Sequence, residues 1–467
     1  MPSRLASPLA AGVLLLALAT AARASALRAL TLPQALDYAR EHQPSLVAAR
    51  ARISASAAAA EIPRGLSLPH VDASAQVFGA TANNSTAAYV HAYGLDVPRV
   101  GGTKVGDVSF APSASTFAAV GARQELFDFG RIAALDAEAD AELDSTRRRA
   151  DAERLDVALA VEEAFFAVEA AKAVLSSSQA ALDRAKANRD YAAAGVRSGL
   201  RKPIDETRAE ADFARFDAGR IRALGGVTIS QALFAAVVGV PEALLDAAVE
   251  ANGAAANGAD AGGATPADAT TIDEALSKAA EREPAVRAAE AEIAAQSART
   301  VAIAGELRPD LSLTAALSTR AGGAIPSTGP GQSGLVPDVP NWDVGLVVSW
   351  PLYDASTRAR EEASRRQEDV RRAELAEVKQ RLGALVEQSF VALSVARDAV
   401  PALERTVEAA RANDDQAQAR FKAGLGTSVE LADAEALLVD SEIQLALGRF
   451  DAARARARLG RALAEGL

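Results

Sequence analysis

The sequence contains one long segment twice, and this duplication limits the folds that the chain can adopt. Residues 31–53 read TLPQALDYAREHQPSLVAARARI, and residues 271–293, which begin 240 positions later, read TIDEALSKAAEREPAVRAAEAEI. Each copy opens with a capping-box pattern and has a proline in the same place, Pro44 or Pro284. We therefore expect a short helix, a break at the proline and a second helix, built twice.

Composition suggests where the repeats begin and end. Residues 1–24 contain an apolar run that ends in Ala22-Arg23-Ala24, which is typical of a secretory signal peptide. Residues 250–270 are rich in glycine, alanine and asparagine, which is typical of a flexible linker. The expected organisation is a signal peptide (1–24), a first repeat (25–249), the linker (250–270) and a second repeat (271–467). Since no later stretch has about 18 uninterrupted apolar residues, no transmembrane helix is expected after residue 24.

The composition argues against several functions. The net charge is −11 and no cluster of lysine or arginine stands out, so nucleic acid is not an expected partner. The chain has no cysteine, and its three histidines, His42, His70 and His91, are scattered, so neither a disulfide nor a metal site is predicted. We find no Ser-His-Asp set and no phosphate-binding loop, and we predict no enzyme activity and no cofactor.

Each repeat also has two segments with the polarity pattern of a β-strand. In residues 69–77 and 309–317 the odd positions are apolar and the even positions are mostly polar, which predicts strands with one apolar face. A second strand is expected in each copy, near 116–127 and 341–353. Strands of about 10 residues can cross a bilayer at a tilt. Four of them cannot close a barrel, however, and open strand edges cannot face lipid.

The chain is therefore expected to combine its strands with those of further copies. A trimer would have twelve strands and room for a channel, whereas the eight strands of a dimer would enclose only side chains. Trp342 and Trp350 would lie about 26 Å apart along one strand, close to the height of an outer-membrane apolar band. With Tyr353 and Phe127 they are predicted to form aromatic girdles in outer-membrane lipid. The alternative is a soluble sandwich in which the tryptophans are core residues.

Long helices follow the strands in both repeats. Between Gly130 and Val196 the only glycine is Gly195, so some 65 residues would form a rod of about 100 Å. Apolar and small residues recur there at 3-4 spacing, as in the seam of a coiled coil. Pro401 is expected to bend the second long helix and not to end it. The seam residues are Val157, Val161, Ala164, Val168, Ala171, Leu175, Ser178, Leu182 and Ala185, and then Leu382, Val386, Ser389, Leu393, Ala396, Val400, Leu403, Val407 and Ala410.

Each long helix ends at a Gly-Leu turn, and a returning helix follows. These turns, Gly199-Leu200 and Gly424-Leu425, would be the two hairpin tips of one chain. Glycine permits the positive φ that a tight turn needs, and an exposed leucine beside it can anchor a partner protein. The alternative is a simple helix C-cap with its own hydrophobic contact.

The order of these elements resembles the TolC-type outer-membrane factor family over nearly all of the chain after residue 24. The likeness rests on the duplication, on the strand-to-helix junctions LFDFGR (126–131) and WPLYDASTR (350–358), and on the tips. The residues that fit the family's tip pattern are Phe421, Gly424, Thr427, Ser428, Glu430 and Leu431 in the second copy and Val196, Gly199 and Asp205 in the first. Pro203 departs from it, because the family has a hydroxyl residue there.

The resemblance implies a mainly helical fold and a homotrimer. In that fold a 12-stranded transmembrane β-barrel in the outer membrane continues as an α-helical barrel in the periplasm. The tips would dock onto a periplasmic adaptor protein, for which Gly199, Leu200, Gly424 and Leu425 are the candidate contacts. The adaptor would couple the channel to an inner-membrane pump that is driven by protons or belongs to the ABC type.

Acidic residues precede both tips. Asp414 and Asp415 lie ten and nine residues before Gly424, and Asp190 lies nine before Gly199. In a trimer they would form acid rings near the narrow end of the tube, where the resemblance places a cation-sensitive aperture in the second copy. Repulsion among the acids would strain the closed state, and cations would relieve it. The alternative is a solvated helix face.

The expected function is export across the outer membrane, as the channel of a tripartite efflux or type I secretion system. The sequence does not choose between small molecules and proteins as cargo. The alternative is a periplasmic coiled-coil scaffold or adaptor without a channel. An adaptor would normally have one helical hairpin between β-rich halves and an inner-membrane anchor, whereas this chain has two hairpins and neither of those features.

Overall fold

The computed structural model describes residues 28–81, 112–240, 245–248, 271–322 and 339–466. The predicted signal peptide and linker lie outside these described residues. The chain divides into two compact units. We call residues 52–148 with 287–377 the sheet unit, and residues 1–51, 149–286 and 378–467 the helical unit.

The described elements follow the same order in both repeats: short helix, second helix, two strands, long helix and returning helix. The first repeat consists of β1 (Arg28–Leu30), α1 (Leu32–His42), α2 (Pro44–Gly65), β2 (His70–Thr81), β3 (Pro112–Phe127), α3 (Arg131–Arg197), α4 (Pro203–Val238) and β4 (Leu245–Ala247). The second consists of α5 (Ile272–Arg282), α6 (Pro284–Gly305), β5 (Asp310–Gly322), β6 (Val339–Ser349), α7 (Ala355–Lys422) and α8 (Ser428–Ala462).

The helix breaks at Pro44 and Pro284 are confirmed. In each repeat the first helix ends two residues before the proline, and the proline begins the next helix, where its missing N–H costs no hydrogen bond. The predicted N-terminal caps are present too. The backbone N–H of Thr31 donates to Gln34 Oε1 at 3.3 Å, and Thr271 Oγ1 accepts from the backbone N–H of Glu274 at 3.3 Å.

The sheet unit contains one antiparallel sheet with the strand order β2-β3-β5-β6. The hairpins of the two repeats therefore join through β3 and β5. All four predicted strands are confirmed, but β6 ends at Ser349 and not at residue 353. Pro351 explains the early end, because proline lacks a backbone donor and restricts the residue before it. Within one chain the described sheet is open, so a closed barrel would need further copies.

An aspartate caps the long helix at each strand-to-helix junction. The backbone N–H groups of Gly130 and Ile132 donate to the carboxylate of Asp128 at the start of α3. At the start of α7, Asp354 accepts from the hydroxyls of Ser356 and Thr357 and from the backbone N–H of Ser356, at 2.7–2.8 Å. These hydrogen bonds lower the pKa of Asp354 to about 2, since they favour its charged form.

The helical unit contains the predicted coiled-coil seams. Each seam residue named from the sequence is buried or half-buried, and none is exposed. Helix α7 is one continuous helix of 68 residues that contains Pro401, so the proline does not end it, as expected. The heptad-like spacing therefore predicted the packed faces of α3 and α7 correctly.

The helical unit also holds a small parallel sheet that the sequence did not predict. Strand β1 pairs with β4, and Leu30 and Leu245 are buried in a hydrophobic core with Phe165 and Phe234. The two phenylalanine rings meet edge to face with their centroids 5.8 Å apart, which is a favourable geometry. Strands of three residues are too short to show a period of two, and these two are far apart in sequence.

Helix α4 bears on the expectation that no transmembrane helix follows residue 24. Among the described residues it is the one helix that is long and apolar enough to cross a bilayer, with a mean hydropathy of 1.6 over 18 residues. One third of that window is buried, and the end of α4 contributes Phe234, Ala235 and Val238 to the hydrophobic core. Length and composition alone select α4, and a single helix of this kind is weak evidence of a membrane span.

Candidate functional site

The sheet unit presents an apolar face to its surroundings. The strand register places Ala73, Val120, Leu317 and Trp342 in one row across all four strands. Residues that are paired across neighbouring strands lie on the same face, so the odd positions of β2 and β5 share a face with Val344, Leu346 and Val348 of β6. All the valine, leucine and tryptophan side chains named here are exposed.

The opposite face of the sheet has mostly small and polar side chains, among them Ser74, Gln76, Ser312 and Thr314, and these are buried or half-buried. This arrangement is the reverse of a sheet that packs in water, where the apolar face is covered. A soluble sandwich with core tryptophans does not agree with it, since the side chain of Trp342 is 78% exposed. A large exposed apolar face marks a surface for lipid or for a partner protein.

The four predicted girdle aromatics, Trp342, Trp350, Tyr353 and Phe127, are all exposed. Trp342 lies on β6, and Phe127 is the last residue of β3. Trp350 and Tyr353 follow the end of β6, so the two tryptophans do not lie on one strand as predicted. The cause is again the early strand end at Pro351.

The two tips have the same backbone geometry. Gly199 and Gly424 have φ values of 74° and 75°, a region that side chains with a Cβ rarely adopt. Each glycine N–H donates to the carbonyl three residues back, and the next N–H, of Leu200 or Leu425, donates to the carbonyl five residues back. This pair of bonds is the Schellman motif, which ends helices at a glycine.

The leucines after these glycines are largely exposed. In a Schellman motif the residue after the glycine often packs on the residue five or six positions back. Those residues are Gly195 and Ala194 for Leu200, and Arg420 and Ala419 for Leu425, so alanine is the only apolar side chain available. Leu200 is accordingly 84% exposed and Leu425 is 76% exposed. The C-cap is thus present, but it does not account for the leucines.

The two tips are joined to each other within one chain. Arg201 Nη2 donates to the carbonyl oxygen of Phe421 at 2.7 Å, and its guanidinium lies 3.7 Å from the centre of that ring. Tyr191 Oη donates to the carbonyl of Lys422 at 3.2 Å. Ser428 Oγ donates to Asp205 Oδ1 at 3.0 Å. Residues on all four helical segments next to the turns therefore take part.

The candidate aperture acids lie in different environments. Asp415 and Asp190 are exposed, and Arg189 binds Asp190 at 2.8 Å. Asp414 is only 3% exposed, and burial raises its pKa. Consecutive residues of a helix point about 100° apart, so Asp414 and Asp415 do not share a face. Asp414 faces the interior of its own chain and not a surrounding solvent space.

The comparisons with known proteins identify the family. The sequence model of the outer membrane efflux protein family matches residues 35–240 and 275–465, well over half of the chain. The chain belongs to the outer membrane efflux protein family. It is thus an outer-membrane efflux channel protein, and the proteins of this family carry out transport and are not enzymes. No curated protein matches the sequence.

Solved channels have the fold of this efflux protein at low sequence identity. The outer-membrane channel OprN is 21% identical, with a TM-score of 0.72, over 93% of this chain and 90% of that one. A membrane protein from Pseudomonas aeruginosa is 19% identical, with a TM-score of 0.74, over 92% and 93%. CmeC of Campylobacter jejuni is 14% identical, with a TM-score of 0.74, over 93% and 86%.

Sequence reasoning missed three residues near the tips of the efflux protein. Arg201 and Tyr191 join the tips, and Glu435, which is 3% exposed, is a buried neighbour of Asp414. Arg201 directly follows the first Gly-Leu pair, and this position could have drawn attention to it. The sequence contains no signal for Glu435, because it is one acid among many on an alanine-rich helix.

Proposed function

We propose that three copies of the chain form a channel whose twelve strands close a transmembrane β-barrel. The observation that supports this best is a four-stranded antiparallel sheet with an exposed apolar face and two edge strands, β2 and β6. In lipid an unpaired strand edge is costly, because no water satisfies its backbone groups. Pairing of β6 in one copy with β2 in the next would remove all edges. The two helical hairpins, α3–α4 and α7–α8, would continue the barrel as a periplasmic tube.

In this proposal the chain is the outer-membrane part of a tripartite efflux or type I secretion system. An inner-membrane pump, driven by protons or of the ABC type, would deliver small molecules or proteins through a periplasmic adaptor. The low identity to solved channels means that their partners and cargo cannot be transferred residue by residue. The leucines at both tips support an adaptor contact, since most of their side-chain surface is exposed within the described chain.

The domain organisation is part of the proposal. Residues 1–24 would be removed as a signal peptide during export, and residues 250–270 would link the repeats 25–249 and 271–467. The described elements follow the same order on both sides of the linker.

We also propose roles for the remaining candidate residues. Trp342, Trp350, Tyr353 and Phe127 would contact lipid at the two edges of the apolar band, where aromatic side chains are enriched. Asp415 and Asp190 would supply the acid rings of a cation-sensitive aperture. Asp414 is buried in its own chain, so we expect it to influence the aperture through its neighbours and not as a ring residue.

Two neighbouring residues of β6 provide the test. Leu346 lies on the exposed apolar face, and Val347 lies on the opposite, half-buried face. Lysine on the lipid face of a barrel costs about 2–4 kcal/mol near the midplane, whereas the lumen tolerates charge. We expect Leu346→Lys to reduce the amount of heat-modifiable trimer in the outer-membrane fraction, and Val347→Lys to leave it nearly unchanged.

In a soluble scaffold or adaptor, Val347→Lys would be more damaging than Leu346→Lys. In water an exposed Leu346→Lys change is harmless, and a lysine at the half-buried position 347 is the more damaging one. That order, together with a monomer in the soluble periplasmic fraction, would rule out the channel.

A further inference from the structure

A group of buried ionisable side chains connects the two hairpins of one chain, about ten residues from the tips. Asp414 on α7 and Glu435 on α8 are each only 3% exposed. Arg184 and Asn188, both half-buried, reach the group from α3. We call these four residues the hairpin cluster.

Hydrogen bonds in the hairpin cluster are incomplete. Gln418 Nε2 donates to Asp414 Oδ2 at 3.1 Å, and Asn188 Nδ2 donates to Glu435 Oε1. The other oxygen of Asp414, Oδ1, is buried and has no hydrogen-bond partner among the described residues. The same is true of Nε and Nη2 of Arg184. A buried acceptor without a donor is costly, so a proton on a neighbouring carboxyl group would stabilise this oxygen.

The charges of the cluster do not balance when both acids are ionised. One guanidinium, that of Arg184, then faces two buried carboxylates. The other charged groups around them are Asp212 of α4, Asp415 of α7 and Glu442 of α8, which are all acidic. Arg215 binds Asp212 at 3.2 Å, and Arg411 binds Glu442 at 3.3 Å. A buried charge that is not compensated is expensive.

The raised pKa values of Asp414 and Glu435 agree with this excess of negative charge. Burial, followed by the neighbouring charge of Asp414, raises the pKa of Glu435 to about 7. Burial is also the main cause that raises the pKa of Asp414. The two carboxyl groups therefore interact and titrate as a pair.

We propose that Asp414 and Glu435 form a proton-binding site on the α7–α8 hairpin, and that its protonation favours the packing of α3, with Arg184 and Asn188, over the two acids. A proton taken from water turns one carboxylate into an O–H donor, for which Oδ1 of Asp414 is a free acceptor. Loss of that proton leaves two buried negative charges with one guanidinium, and separation of the hairpins becomes easier because it returns the carboxylates to water. The site goes beyond the export function, and it depends only on contacts within one chain.

The direction of the pH effect follows from the raised pKa. The packed hairpins bind a proton more tightly than separated hairpins, in which the Glu435 side chain would titrate near 4.5. Packing is therefore strongest below pH 4.5 and weakens as the pH rises to about 7 and beyond. Between pH 6 and pH 8 the separated fraction should rise about tenfold, which is what one proton with a pKa of about 7 allows.

A buried cysteine can report the separation, since the native chain has none. Ala192 on α3 is 1% exposed and lies one turn after Asn188, so it shares the helix face that reaches Glu435. The rate of maleimide alkylation of Ala192→Cys would be measured in purified protein at pH 6 and pH 8. Dividing this rate by that of the same protein with Glu435→Gln at the same pH cancels the titration of the thiol.

We expect this ratio to rise about tenfold from pH 6 to pH 8. The matched control uses Glu408, an exposed acid on α7. The alkylation rate of Ala192→Cys divided by that of the same protein with Glu408→Gln should not change between pH 6 and pH 8. A constant ratio for Glu435→Gln as well would overturn the proposal. If Glu435→Gln does not fold, Glu435→Ala takes its place with the same expected outcome. Since alkylation is measured within one chain, failure to trimerise would leave the result interpretable.

Discussion

The guanidinium of Arg201 lies 3.7 Å from the ring centre of Phe421 and donates a hydrogen bond to the carbonyl of the same residue. Arg201 follows the first tip, and Phe421 precedes the second. One side chain thus satisfies a helix-end carbonyl and covers an aromatic ring of the other hairpin. The second tip therefore depends on the first for part of its order.

We expect Arg201→Ala to loosen the second tip. It removes a charge-assisted hydrogen bond and a cation–π contact, which together contribute about 1–3 kcal/mol. Hydrogen exchange of the amides of Gly424 and Leu425 should become faster by a factor of about five or more. Exposed Arg197 precedes the first tip and provides the control, because Arg197→Ala should leave these amides unchanged. Equal exchange in the two variants would show that the contact does not order the tip.

The exposed leucine of the second tip should be needed for export and not for folding. We expect Leu425→Asp to abolish export of a test substrate, since it places a charge in an apolar contact. Its cost in unfolding free energy should stay within about 0.5 kcal/mol, as for other surface positions. Leu425→Met keeps an apolar side chain and should retain export. If Leu425→Asp exports normally, the leucine does not contact the adaptor.

Most of the fold could be predicted because its elements are long and periodic. A 3-4 spacing recurs along the seams around Val161 and Val386, and an alternation of apolar and polar residues recurs in residues 309–317. The Gly-Leu pair occurs at both tips. The β1–β4 pair has three residues a strand, so no period is visible. The inward position of Asp414 follows the same spacing, because Asp414 lies four residues after the seam residue Ala410. The spacing does not show its neighbours Glu435 and Arg184, which come from other helices.

Replacement by alanine should lower the free energy of unfolding at Gly424 and raise it at Gly219. Gly424 has a φ of 75°, where a Cβ costs about 1 kcal/mol or more, although no described atom lies within 4 Å of the Cβ position. Gly219 lies inside α4, also without a described atom near its Cβ position. There alanine should stabilise the helix by about 0.5–1 kcal/mol. Denaturant unfolding of both variants would measure the two signs. A gain in stability for Gly424→Ala would contradict the requirement for positive φ.

The chain has only two tryptophans, Trp342 and Trp350, so Trp350→Phe leaves Trp342 as a single fluorescent probe on the exposed face of β6. In vesicles whose acyl chains carry bromine, we expect strong quenching of Trp342, because bromine quenches only fluorophores that it touches. The matched variant Trp342→Phe reports Trp350, which should be quenched from a different depth if the two residues lie in opposite girdles. Comparison of lipids brominated near the headgroup and near the chain end would measure both depths. Equal emission in brominated and ordinary lipid would place the apolar face of the sheet against protein and not against the membrane.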